Sequence, residues 1–224
     1  MPLSEHDVLA FDVYGTLVDT AGVVEQLRGV VGDRAAEFSD AWRAHQLGYS
    51  FRRALMRDYV EFGTCTAQAL DHTAATMGVE LTDADREELL AAYGRLPAFP
   101  DAAPALAGLA AAGRRLVAFS NGPAGTVTAL LDQAGLNTLL DDVVSVDEVG
   151  SFKPDPAVYH HLLERVACRA QRVVMVSGNS FDVLGAKSAG LQAAWVRRTE
   201  AALLDPWGIE PDTVVTDLGG LLPD

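Results

Sequence analysis

A chain of 224 residues, 49% hydrophobic and 21% charged, is long enough to bury a real core in one domain or two modest ones. Its net charge of -14, with no run of Lys and Arg, opposes general affinity for phosphate backbones and excludes nucleic acid as an expected partner. Cys65 and Cys168 lie far apart and outside any Cys-x-x-Cys pairing, which excludes a disulfide framework and a thiolate metal site and fits a reducing compartment.

The first residues, MPLSEHD, are polar and acidic with no basic segment leading into an apolar stretch, and nowhere do about 18 apolar residues follow one another. A cytoplasmic protein with no membrane partner is expected. The first strand-like run, VLAFDV at 8 to 13, carries an acid, Asp12, at its end and leads into a Tyr-Gly-Thr turn. From about 20 to 97 come long amphipathic stretches, FSDAWRAHQLGYSFRRALMRDYVEF and DADREELLAAYGRL, with no convincing strand. Then strand-like runs resume at 115 to 121, 143 to 146, 172 to 179 and 192 to 196, with helices expected over Thr126 to Ala134, Pro156 to Ala167 and Phe181 to Ala189. This alternation predicts an α/β fold: a doubly wound parallel sheet, Rossmann-like, with an inserted helical cap. The expected division is a discontinuous catalytic core of residues 1–19 and 98–224 and a helical cap domain of residues 20–97.

Open parallel sheets bind ligands at the carboxyl ends of their strands. The residues at or just past the end of each run are Asp12, Tyr14 and Thr16, then Ser120 and Asn121, then Lys153, then Ser177, Asn179 and Asp182. Two carboxylates, one ammonium and several neutral hydrogen-bonding groups suit nucleophilic catalysis with charge balance.

Four segments, FDVYGTL, SNG, Lys153-Pro154-Asp155 and SGNSFD, resemble the motifs of the haloacid dehalogenase superfamily, and WRAHQLGYSFRRALM resembles the cap segment of its L-2-haloacid dehalogenases. Phosphatases of that superfamily carry Asp-x-Asp in the first motif and more carboxylates in the last. Here the second position is Tyr14, and the last motif offers Asp182 as its single acid, a poor donor set for Mg2+. A halide leaves without protonation, so the resemblance implies a metal-free, cofactor-free dehalogenase acting on short (S)-2-haloalkanoates and giving the R hydroxy acid plus halide.

The resemblance also implies roles. Asp12 is the nucleophile, and Lys153 favours its charged form. Arg43 faces the departing halide with Asn121 beside it on the core side, while Ser120 holds the substrate carboxylate. Asp182, supported by Ser177 and Asn179, positions or activates water. Thr16 and Tyr159 support Asp12 and Lys153. Tyr14, Leu47, Phe62 and Phe181 form an apolar wall. Many such enzymes are homodimers, so a homodimer is expected.

Each residue also has a plainer reading. Asp12 before a glycine is a common turn acid, Asn121-Gly122 a common turn, and Ser177 and Asn179 common helix caps. Lys153 reads as a solvated lysine, Arg43 as one more charge on a helix, and Met56, Tyr59 and Phe62 as packing. His6, His45, His72, His160 and His161 show no ligand spacing. A magnesium-dependent phosphatase on the same fold is the main alternative. An α/β-hydrolase lacks its elbow glycine in GNSFD and a histidine after 161, and a dinucleotide-binding protein lacks G-x-G-x-x-G. A non-catalytic binding module leaves the reactive strand tips unexplained.

Overall fold

The run VLAF forms β1 (Val8–Phe11), a strand in which every residue is buried, as expected at the centre of an all-parallel sheet covered on both faces. The computed structural model describes residues 7–223, so His6 lies outside the described residues. The strand β1 pairs with β2 (Arg115–Ser120) on one side and with β4 (Val173–Ser177) on the other. The remaining strands are β3 (Asp142–Ser145), β5 (Gln192–Val196) and β6 (Thr213–Val215), and the order is β3-β2-β1-β4-β5-β6, parallel throughout. From β3 the chain crosses to the far side of β1, so the topological switch point falls beside the end of β1, where Asp12 stands.

Helices α1 (Val24–Val31), α2 (Ala35–Met56), α3 (Phe62–Met77), α4 (Asp83–Tyr93) and α5 (Ala102–Ala111) separate β1 from β2. After β2 come α6 (Ala124–Gln133), α7 (Pro156–Val166) and α8 (Ser180–Ser188). The helix α2 buries Ala35, Phe38, Ser39, Trp42, Gln46 and Ser50, a stripe at helical spacing, and ends where Arg57 turns left-handed at φ 56°. A reciprocal capping box between Thr82 and Asp85 starts α4. The next start signal matters for the site: the Asp155 side chain accepts from the Ala157 amide, with Pro156 in the first turn, so α7 begins three residues after Lys153.

Five strands and three core helices fall within about two residues of where the pattern puts them, and no named strand lies between residues 20 and 97 among the described residues. Two elements were not anticipated. The helix α5 reads AAPALAGLAA, nearly uniform in hydropathy and so without a helical period, and β6 is three residues long with its middle residue, Val214, exposed. The long amphipathic stretch beginning at Phe38 is helical only to Met56: the helix stops at Arg57, and the stretch ends on Phe62, the first residue of α3. No helix among the described residues is long and apolar enough to cross a membrane.

Candidate active site

Asp12 leaves β1 with its amide still donating to the Val176 carbonyl at 2.9 Å, which fixes its backbone, and the residue is 7% exposed. Gly15, at φ 84°, closes the turn that brings Thr16 back, so that the Thr16 hydroxyl donates to Asp12 Oδ2 at 2.8 Å. Asn179, just past β4, donates its amide to the same oxygen at 2.7 Å and to the Tyr14 carbonyl at 2.9 Å. Lys153 Nζ donates to Asp12 Oδ1 at 3.0 Å, to the Phe119 carbonyl at 2.7 Å and to Asp182 Oδ2 at 2.9 Å, which uses all three of its donors. The ammonium also lies 4.4 Å from the Phe119 ring centroid.

Burial alone would lower the proton affinity of Lys153, but the charges of Asp12 and Asp182 and the bonds to both outweigh it, and its pKa lies above the ordinary lysine value. Asp182 is shifted up as well: complete burial and the nearby Asp12 charge exceed the pull of the ammonium. Two carboxylates share one cation here, and both directions follow from that arrangement. Tyr159 on α7 donates to Asp182 Oδ1 at 2.8 Å. The approach is possible because residue 185 is Gly, where an added Cβ would meet the Tyr159 hydroxyl at 2.4 Å.

Two expected supports differ in detail. Tyr159 holds Asp182 rather than bonding to Lys153, because α7 packs on α8, a pairing that the sequence does not announce. Asn179 reaches Asp12 rather than Asp182, and the Ser177 hydroxyl accepts from the Asn179 amide at 3.1 Å, a local turn. Ser120 is fully buried and accepts from the Gly122 amide at 3.2 Å. Asn121 Oδ1 accepts from the Lys153 amide at 3.0 Å, which ties the lysine loop to the end of β2.

Arg43, half-buried on α2, donates to Gln46 Oε1 at 2.7 Å and at a longer 3.4 Å to the Tyr14 carbonyl. Leu47 follows one turn later and is half-buried. Phe62 opens α3, its ring 6.1 Å from Tyr14 and 6.0 Å from Phe152. Phe181 packs edge-on against Phe51 at 5.0 Å. Both rings face a half-open chamber of about 650 Å³ that Phe152, Pro154 and Leu184 also line and whose rim holds Trp207, 69% exposed. The Tyr14 phenol is pushed up to about 12 by burial, against the pull of Arg43, so it is a poor proton donor at neutral pH.

Sequence reasoning assigned nothing to Gly178, Gln46, Thr66 or Arg198. A Cβ on Gly178 would meet the Gly15 carbonyl oxygen at 2.4 Å, and its amide donates to the Thr16 hydroxyl at 2.8 Å. Arg198 donates to the Thr16 carbonyl at 2.5 Å while Asp101 holds its other nitrogen at 2.7 Å. A close glycine pairing across two loops has no local signal.

The fold family includes proteins that bind magnesium, but the donors here do not fit a divalent cation. Asp12 and Asp182 are already bridged by an ammonium, Tyr14 offers a neutral phenol, and among the described residues no three His, Cys, Asp or Glu side chains are grouped to hold a metal.

Fold and site together define an enzyme core of the doubly wound α/β class, with its reactive groups at the strand tips of the switch point. Residues 6–190 match the model of the haloacid dehalogenase-like hydrolases, and the chain belongs to that family. It is similar to an (S)-2-haloacid dehalogenase of Pseudomonas sp. strain YL, 35% identical over 94% of this chain and 90% of the relative. It is also similar to (S)-2-haloacid dehalogenase 1 of Pseudomonas sp. strain CBS-3, 39% identical over 84% and 83% of the two chains. Among solved structures it superposes, at TM-score 0.90 and 34% identity over 96% of both chains, on an L-2-haloacid dehalogenase from Xanthobacter autotrophicus with chloropropionic acid covalently bound.

Proposed function

We propose that the protein is an (S)-2-haloacid dehalogenase that converts short (S)-2-haloalkanoates to (R)-2-hydroxyalkanoates and halide through an ester on Asp12. The observation that carries this reading is the Asp12 carboxylate, held by Lys153, Thr16 and Asn179, with a phenol at Tyr14 where a phosphatase needs an acid.

In the first step an Asp12 oxygen attacks C2 of the substrate from the side opposite the halogen. The carbon-halogen bond breaks, halide departs with the electron pair, and C2 inverts. Arg43 stabilises the charge that develops on the halogen, with Asn121 beside it, while Ser120 and neighbouring backbone amides hold the substrate carboxylate. Tyr14, Leu47, Phe62 and Phe181 keep water from the nucleophile. In the second step water attacks the Asp12 carbonyl carbon and gives a proton to Asp182, whose proton affinity burial raises. The bond from the acyl carbon to the substrate oxygen breaks, the departing alkoxide takes the proton back from Asp182 and leaves as the hydroxy acid, and Asp12 loses the remaining proton of the water to solvent and is again a carboxylate. Tyr159 and Lys153 orient Asp182 by the bonds described.

This reading treats residues 20–97 as a cap over a core of 1–19 and 98–224, in a cytoplasmic homodimer. Light scattering at assay concentration checks the dimer, and a monomer there counts against it.

The test is parallel release of chloride from each enantiomer of 2-chloropropionate and of phosphate from p-nitrophenyl phosphate, with EDTA or magnesium. Chloride from the S enantiomer alone, in EDTA and without phosphatase activity, is expected. Magnesium-dependent phosphate release without chloride would replace this reading with the phosphatase alternative. In a single turnover in labelled water, label enters Asp12 and the first product stays unlabelled; label appearing directly in that product sinks the covalent route.

A further inference from the structure

The guanidinium of Arg43 is held from behind by a side chain that is neutral and has no access to solvent. Gln46 is 0% exposed, on the buried stripe of α2, and its Oε1 accepts from Arg43 at 2.7 Å. Its Nε2 donates to the Thr66 hydroxyl of α3 at 2.6 Å, and that hydroxyl spends its own proton on the Phe62 carbonyl at 3.0 Å. The order of donors dictates the orientation of the amide. Thr66, having given its proton to Phe62, presents lone pairs to Gln46, so the amide nitrogen faces Thr66 and the amide oxygen faces Arg43. The same two helices are tied a second time at Thr66, since Trp42 Nε1 donates to its backbone carbonyl at 2.8 Å.

A buried glutamine is expensive to desolvate, and an apolar residue of similar volume would pack this interface at least as well. A glutamate would grip the arginine more firmly. It would also cancel the positive charge on which stabilisation of a leaving anion depends. The amide aims the guanidinium while leaving its charge intact. We infer that Gln46 is a positioning residue for Arg43, oriented by Thr66, and that its neutrality keeps the full arginine charge available to the departing halide. The inference rests on the halide-facing role of Arg43 proposed above.

The experiment compares single-turnover ester formation from (S)-2-chloropropionate and (S)-2-bromopropionate in wild type, Gln46→Glu, Gln46→Met, Thr66→Val and Arg43→Ala, with thermal unfolding of each. Gln46→Glu keeps the hydrogen-bonding shape, and it is expected to slow the chloride reaction by about 10- to 100-fold. Chloride, the smaller and more strongly solvated anion, depends more on the guanidinium than bromide does, so the chloride-to-bromide rate ratio also falls. Gln46→Met and Thr66→Val keep the charge and lose the aim, so they slow both substrates together by about 3- to 30-fold. A purely structural glutamine would lower the unfolding temperature and leave the rate ratio of the folded enzyme unchanged. Wild-type rates and ratio in both Gln46→Glu and Thr66→Val, with Arg43→Ala slow, overturn the role of Gln46 alone. Wild-type rates in Arg43→Ala overturn the reading of Arg43 itself. Should Gln46→Glu fail to fold, a wild-type rate in Thr66→Val still decides against the relay.

Discussion

On the sheet side of the cleft, Lys153 spends every donor within 3.0 Å on Asp12, Asp182 and the Phe119 carbonyl, and Asp12 receives two further bonds from Thr16 and Asn179. On the helical side, Arg43 has one short bond, to Gln46 within its own helix, and a 3.4 Å contact to the Tyr14 carbonyl as its hydrogen bond across the cleft. The sheet side is saturated and buried, while the helical side is aimed from behind and tied only loosely to the front. In the proposed mechanism the groups that must not move relative to the reacting carbon sit just past the strand tips, in the loops and the first turn of α8. Arg43, which the proposed mechanism sets against a leaving ion of variable size, sits on a helix.

That contrast is broken most severely at its centre. Lys153→Ala leaves two buried carboxylates without their shared cation, and it is expected to cost about 3–5 kcal/mol of stability and about 10³-fold in kcat. Thermal unfolding and halide release measure the two losses, and near wild-type values of either would show that the cluster is not organised by its ammonium. A smaller break lies between the two loops. Gly178→Ala drives a Cβ into the Gly15 carbonyl, backbone against backbone, for about 1–3 kcal/mol. Because the Gly178 amide also steers Thr16, ester formation should slow as well, whereas the added charge of Gln46→Glu on the helical side should also change leaving-ion preference. Loss of stability with an unchanged alkylation rate would separate the latch from the nucleophile.

The smallest effect sharpens the comparison from outside. Asp101 is shifted below the usual carboxylate value: burial pushes it up, but the Leu218 amide and Arg198 more than reverse that. A carboxyl whose folded pKa is depressed contributes stability that is fully present above its unfolded value, about 3.9, and is lost as pH falls through the folded value. Asp101→Asn should therefore unfold earlier by about 1 kcal/mol at pH 7, with the gap from wild type closing as pH drops below about 4. A gap independent of pH would mean that the charge on Asp101 does not matter.

The sheet side was largely legible in the chain because strand-tip chemistry is local: an apolar run, then a polar residue, repeated until the groups converge. Pairings between those groups were less legible. That Tyr159 meets Asp182 depends on the absence of a side chain at Gly185, a contact across two helices. The helical side hid its polar support for another reason. The buried stripe of α2 runs Phe38, Trp42, Gln46, Ser50, so the apolar period breaks down at the residues that carry hydrogen bonds inward. A polar residue on a buried stripe reads as noise until its partner is known, and Thr66 is 20 residues away. The strand β6 escaped for the opposite reason, being too short and too exposed at Val214 to carry a pattern.

Trp207, on the rim of the apolar chamber, gives the molecule an optical asymmetry. Of its three indoles, Trp42 and Trp195 are buried and Trp207 is 69% exposed. A water-soluble quencher therefore extinguishes the emission of Trp207 first and leaves a spectrum dominated by the two interior rings. One of those, Trp42, adjoins Arg43 in the chain and packs edge-on against Tyr93 at 4.6 Å. With Trp207 silenced and Trp195 of β5 replaced by Phe, fluorescence becomes a label-free signal from the helix that carries the guanidinium, and rearrangement there can be followed in real time without adding a dye.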